Sequence, residues 1–213
     1  MMRNVIAKVV VSLLIGGLVF AIGTPAGAWQ VGLDRITGGG WFIIQNPYYP
    51  GIEFAVPGGR ANFGWHGGVQ NSDWWGNGNY VEHSSLSLHI HSTSVTGYVI
   101  VVDYPPDKNG HPRGTRDICG TARATWSVPP GPAPGFGDFF YRVRMRDLGE
   151  PGRDDEFGIT LYEQSGGRPV YFAQGQLNGG GNIQLHKVNP KNSVPGLPSC
   201  DSPPFSTILF TFQ

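Results

Sequence analysis

Histidines at 83, 89 and 91 are the first residues whose type and spacing could do chemistry. On a strand, His89 and His91 point the same way and could hold a metal with a third, distant ligand, as on the strands of β-sandwich metalloenzymes. Exposed polar positions opposite Leu86, Leu88 and Ile90 produce the same pattern without metal. Acidic groups crowd one short stretch: Asp147, Glu150, Asp154, Asp155 and Glu156. Calcium takes several oxygen ligands from a loop, so this stretch is the candidate calcium site, although its spacing is not that of an EF-hand. Carboxylates at a turn are ordinarily just solvated, and Arg153 is at hand to neutralise one. Carboxylate pairs also raise glycoside hydrolysis, but any acidic β protein offers such pairs. The sequence holds no Gly-x-Ser-x-Gly elbow, no His-Glu-x-x-His and no phosphate-binding loop before a helix. No catalytic residue is assigned.

Aromatic residues offer a different chemistry. Trp65, Trp74, Trp75 and Tyr80 fall within a segment rich in Gly and Asn, with Trp74 and Trp75 expected in a loop. Exposed rings flanked by Asn and Asp suit the apolar face and hydroxyl rim of a sugar. The alternative is that one indole caps the core and the other covers a loop. Arg142, Arg144 and Arg146 alternate along a strand and would form a basic stripe on its wet face. Such a stripe suits acidic polysaccharide or lipid head groups, or simply discourages edge-to-edge pairing of sheets.

The elements that must position these residues are strands. Phe139, Tyr141, Val143 and Met145 alternate with Phe140, Arg142, Arg144 and Arg146, a period of two that marks a half-buried antiparallel strand. Phe157, Ile159 and Leu161 form another such face, and 98–102 is apolar throughout, as in a strand covered on both sides. Residues 149–152 (GEPG) read as a hairpin connection, and 105–110 and 128–137 as loops. Strands are expected near 36–44, 59–68, 80–92, 95–103, 115–127, 138–148, 156–164, 169–177, 181–188 and 206–212. No helical period is sustained, so the expected fold is all-β, an antiparallel β-sandwich of about nine or ten strands. The last of these would pack on the domain or pair with a sheet edge in another copy. An outer-membrane barrel fits poorly with the Pro-rich loops and the in-line arginines.

Composition agrees. Glycine at 33 and proline at 18 are high while charged residues are only 14%, a mixture that favours short strands and turns. Arg3 and Lys8 precede an apolar run from Val9 to Ile22, followed by Ala26, Gly27 and Ala28. That order is a secretory signal peptide, cleaved after Ala28, and the run is short for a membrane anchor. No later stretch could span a membrane as a helix. The expected organisation is a signal peptide at 1–28, a β-sandwich domain at 29–187 and a C-terminal tail at 188–213. Without the leader the chain keeps 13 basic residues against 15 acidic. That balance argues against nucleic acid, which needs a concentrated basic face. Cys119 and Cys200 make an even pair in an exported chain, hence an expected disulfide tying the tail to the body.

Five phrases occur in order: 34–42 (DRITGGGWF), 59–64 (GRANFG), 92–98 (STSVTGY), 147–153 (DLGEPGR) and 179–187 (GGGNIQLHK). Together they resemble the bacterial post-COAP type 1 domain, a β-rich module of exported proteins. The resemblance implies an extracellular β domain and brings no catalytic or ligand residues. The functional expectation is a non-catalytic secreted module, structural or adhesive, placed in the periplasm, at the cell surface or in the medium. Its expected partners are polysaccharide or cell-surface components, with self-association open and no cofactor assigned beyond the calcium candidate. A carbohydrate-binding module using Trp65, Trp74, Trp75 and Tyr80 is the second reading. A metal-dependent hydrolase at His89 and His91 is the third.

Overall fold

The computed structural model describes residues 30–45, 57–83, 87–125, 136–165, 167–202, 205 and 209–212. The leader at 1–28, Leu86 and most of the 128–137 loop lie outside the described residues. Among the described residues ten strands follow one another: β1 (Gln30–Val31), β2 (Arg35–Ile43), β3 (Arg60–Gln70), β4 (Asp73–Glu82), β5 (His89–Tyr104), β6 (Arg113–Thr125), β7 (Phe136–Asp147), β8 (Glu156–Glu163), β9 (Pro169–Gln176) and β10 (Gly181–His186). They pair antiparallel in the order β10-β2-β3-β4-β5-β6-β7-β8-β9, with β1 added to β5. The fold is all-β, as the alternating pattern predicts.

The sheet curls until its ends approach. Gln45, just past β2, donates its N–H to Gln174 O of β9 at 2.8 Å, so β2 touches β10 along one half and β9 at its end. Two halves then face each other across one core, in the manner of a sandwich. Phe63 of β3 stacks on Phe157 of β8 with ring centroids 4.0 Å apart, and Trp65 meets Tyr141 of β7 edge-on at 4.9 Å. Gly78 of β4 lies beneath the Trp65 indole, where an added Cβ would sit 2.0 Å from the ring. Only glycine leaves room for that ring.

The edges have their own devices. β10 ends the sheet order, and its Ile183 and Leu185 N–H groups donate to Asp155 Oδ2 at 2.7 Å and Asp147 Oδ2 at 2.6 Å. The two carboxylates stand in for a neighbouring strand, a side-chain answer to the exposed-edge problem. Cys200 is bonded to Cys119 of β6. From there the tail crosses the outer side of β5–β9. Phe205 packs on Tyr162 and Phe140, Phe210 packs on Phe172, and Thr211 N–H donates to Gln174 Oε1.

Several expectations are corrected. The expected 80–92 strand is the end of β4 and the start of β5, and the expected break before 95 is absent, because bulges near Ser92, Val95 and Ile100 let β5 bend without stopping. Trp74 and Trp75 are not in a loop but open β4, after a tight hairpin whose central residues Asn71 and Ser72 have φ of 54° and 60°. Of the strand expected at 206–212, residues 206–208 lie outside the described residues, and 209–212 carries no strand pairing and is held by side chains.

Arg142 and Arg144 are not on a wet face. Both are buried beneath the tail against Asp117, while Arg146 pairs with Glu156. Their alternation is that of a second, smaller core. On this side of the sheet the tail supplies the cover, so the arginines are sealed in with one carboxylate and the carbonyls of Cys200, Phe205 and Phe212.

Candidate binding face

The aromatic candidates separate by strand parity. Trp65 and Tyr80 point inward and are buried, at 1% and 0% exposure, so neither can meet a ligand at the surface. Tyr80 hydrogen-bonds Tyr171 within the core. Trp74 faces Val69 and packs, half-buried, against the core. Trp75, one residue on, emerges on the outer face, where its ring lies 4.6 Å from that of His66.

The acidic stretch is structural. Asp147 accepts from Gly149 N–H as well as Leu185, and Asp155 from Leu148 N–H as well as Ile183. Glu150 accepts from the Asn182 side chain and Asp154 from Gln176. Burial pushes the Asp155 carboxyl up to about 7 against the pull of its two N–H bonds, and Asp147 and Glu150 nearby add to the rise. Burial also raises Asp147. Of the five carboxylates expected for calcium, Asp147, Glu150 and Asp155 thus tie the β7–β8 connection to β10, Asp154 ties it to Gln176 of β9, and Glu156 pairs with Arg146. His89 and His91 are both exposed on the outer face, and His91 Nδ1 hydrogen-bonds Asn79 Oδ1 at 2.8 Å. Among the described residues no three His, Cys, Asp or Glu groups gather in a way that could hold a metal ion.

What the register does bring together is the outer side of β10-β2-β3-β4-β5. Ile36, Phe42, Ala61, Phe63, Tyr80 and Ile90 face the core, so their neighbours along each strand face out. Across the strands the outward rows read Trp41–Asn62–Val81–His89, then Gly39–Gly64–Asn79–His91, then Thr37–His66–Asn77. Trp75 closes the far end opposite Gly68. The middle row is a floor: a Cβ at Gly64 would meet nothing within 4 Å, and one at Gly39 only backbone at 3.5 Å. Trp41 and Trp75 stand at opposite ends, six positions apart along β3, or about 20 Å at strand rise.

The Trp41 end is elaborated further. The Arg60 guanidinium lies over the Trp41 ring, 4.7 Å from its centroid. Arg60, Asn62, Val81 and His83 line a shallow open depression, and His83 Nε2 hydrogen-bonds Asn62 Oδ1 at 2.8 Å. His186 Nε2 and Thr37 Oγ1 are 2.9 Å apart at the β10 side.

Sequence reasoning missed Trp41, Arg60, Asn62 and His66 as members of one face. Each sits on a strand with the right alternation, but their common surface depends on register between strands that sequence spacing does not give. Comparison with protein-family models, with curated proteins and with solved structures finds no match to this chain.

Proposed function

We propose that the protein is a non-catalytic extracellular β-sandwich module with an adhesive role, holding polysaccharide on the outer face of β2–β5. The observation that carries this is the pairing of Trp41 and Trp75 at the two ends of a glycine-floored surface set with Asn62, Asn77 and Asn79. Indole faces match the apolar faces of pyranose rings, and side-chain amides match hydroxyls. The tail covers the outer side of β5–β9, whereas among the described residues no such cover lies over β2–β4. An extracellular setting draws support from the basic, apolar and small-residue order of 1–28 and from the Cys119–Cys200 bond, which belongs to an oxidising compartment. The resemblance to the post-COAP type 1 domain points the same way and rests on its five phrases.

The test is retention of the purified protein on a panel of soluble and insoluble polysaccharides, read with tryptophan fluorescence. Saturable binding is expected, weakened about tenfold or more by Trp75→Ala or Trp41→Ala, as for aromatic anchors of interfaces. Trp74→Ala, which removes an inward ring, should lower thermal stability and leave retention intact. Unchanged retention in the Trp41→Ala/Trp75→Ala double variant would remove the proposal.

A further inference from the structure

We infer, resting on the polysaccharide reading above, that the ligand is an acidic polysaccharide and that the face grips it more tightly as pH falls through the histidine range. The chain has six histidines, and five of them reach this one surface. His66 lies beside Trp75, His83 in the depression with Arg60, and His186 at Thr37. His89 and His91 lie opposite Val81 and Asn79. The sixth, His111, sits in the loop after β5, held by Asp107.

The fixed charges on and around the face are mainly positive. Arg35 and Arg60 project from β2 and β3, while Arg123, opposite His91 on β6, shares its charge with Asp138. The acids are at the margins or spent. Asp73 lies at the β3–β4 turn and caps Trp74 N–H, and Asp138 pairs with Arg123 at 3.4 Å. Asp34, beside β10, is bound to Arg116 and Tyr98, Glu150 is bound to Asn182, and Glu82 of β4 points into the core toward Tyr171. A polyanion laid along this face therefore meets cations and neutral imidazoles, and among the described residues no opposing carboxylate lies between the two tryptophans.

The Arg60 end shows how a single acid group would be taken. The exposed Arg60 guanidinium, held over the Trp41 ring, offers the planar fork of N–H donors that can receive a carboxylate or sulfate in two parallel hydrogen bonds. His83 follows Arg60 across the strand pair, with His83 N–H bonded to Arg60 O. Histidine changes charge between pH 5 and 8, so each imidazolium formed adds a donor and a charge to this face. Burial lowers His66, and burial with Arg35 lowers His186, which makes these two late to charge. The exposed trio His83, His89 and His91 surrounds the Asn62–Val81 end.

The probe is polygalacturonate beside its fully methyl-esterified form, which keeps the backbone and removes the charge, with duplex DNA as a polyanion that has no pyranose rings. Affinity is measured at pH 5.5 and pH 8 at fixed salt. The acid form is expected to bind best, and about fivefold or more tighter at pH 5.5 for each ion pair gained at water-like dielectric. Arg60→Gln should reduce the preference for the acid form at both pH values, and His83→Gln, also at an exposed position, should reduce the pH response. Equal binding of acid and ester, or no pH response, would overturn the inference while leaving the tryptophan platform standing. Binding of neither form at any pH would overturn the platform itself. DNA bound as tightly as polygalacturonate would overturn saccharide recognition in favour of a general polyanion surface.

Discussion

Asp117→Asn is the substitution that most directly tests how this molecule is held together. The Asp117 carboxylate is fully buried and accepts from Arg142 Nε at 2.7 Å and from Arg144 Nε and Nη2 at 2.7 and 2.9 Å. Both guanidiniums are buried too, and their remaining reach is to the tail carbonyls of Cys200, Phe205 and Phe212. Asparagine fits the space but removes the charge and turns one acceptor into a donor aimed at a cation. Breaking a buried pair by removing one partner costs about 3–5 kcal/mol, because the other charge stays behind uncompensated. Against a total stability of about 5–15 kcal/mol that is a large share. At about 2–4 °C per kcal/mol for a chain of this size, the melting temperature should fall by about 6–20 °C. Differential scanning calorimetry of the oxidised protein at neutral pH measures it. The control is Asp138→Asn, which removes the exposed partner of Arg123 and should cost at most about 1 kcal/mol. A melting point for Asp117→Asn as close to wild type as that of the control would refute the claim that one carboxylate neutralises this second core. The sign with pH is also fixed. Burial alone would raise Asp117, but Arg142 and Arg144 override it and hold the group below the ordinary carboxylate range. Its contribution is therefore full above the unfolded value near 4 and is lost as pH falls through the folded one.

Asp155 titrates in the opposite sense: held up at about 7, it favours the folded state below the unfolded value of 3.8 and loses that contribution as pH rises through 7. Melting temperature should fall between pH 5 and pH 8, and Asp155→Asn, which resembles the protonated carboxyl, should flatten that slope; an unaltered slope would remove Asp155 as its source. Denatured, unreduced protein should show no free thiol, since Cys119 and Cys200 are bonded across 81 positions. Cys200→Ser should cost about 2–5 kcal/mol and expose the tail to limited proteolysis, and a tail equally resistant without the bond would show that Phe205 and Phe210 suffice to hold it.

Much of the fold was legible because a half-buried strand writes its two faces into alternate residues. Phe139 to Met145 and Phe157 to Leu161 read correctly, since their apolar members had to point to one side whatever lay beyond them. The run at 98–102 was read as covered on both sides, and Tyr98 faces the main core while Val99 faces Cys119 and Cys200. The disulfide was legible from cysteine arithmetic alone. Trp74 and Trp75 misled because a strand at a hairpin end, with Asn and Gly around it, looks like a loop in composition.

The sequence alone determined the strand period and the cysteine pair: which residues alternate along β7 and β8, and which two thiols meet. These are local properties, set by backbone geometry and side-chain type within a few residues. Tertiary structure decided everything that depends on which strand lies beside which. Arg142 and Arg144 alternate like surface residues and are buried only because a tail some 60 positions away folds over them. Trp41, His66 and Trp75, scattered over 35 positions, share a face only because three strands pair in one register. Burial and proximity are collective, fixed by long-range pairing, and no stretch of chain carries them by itself.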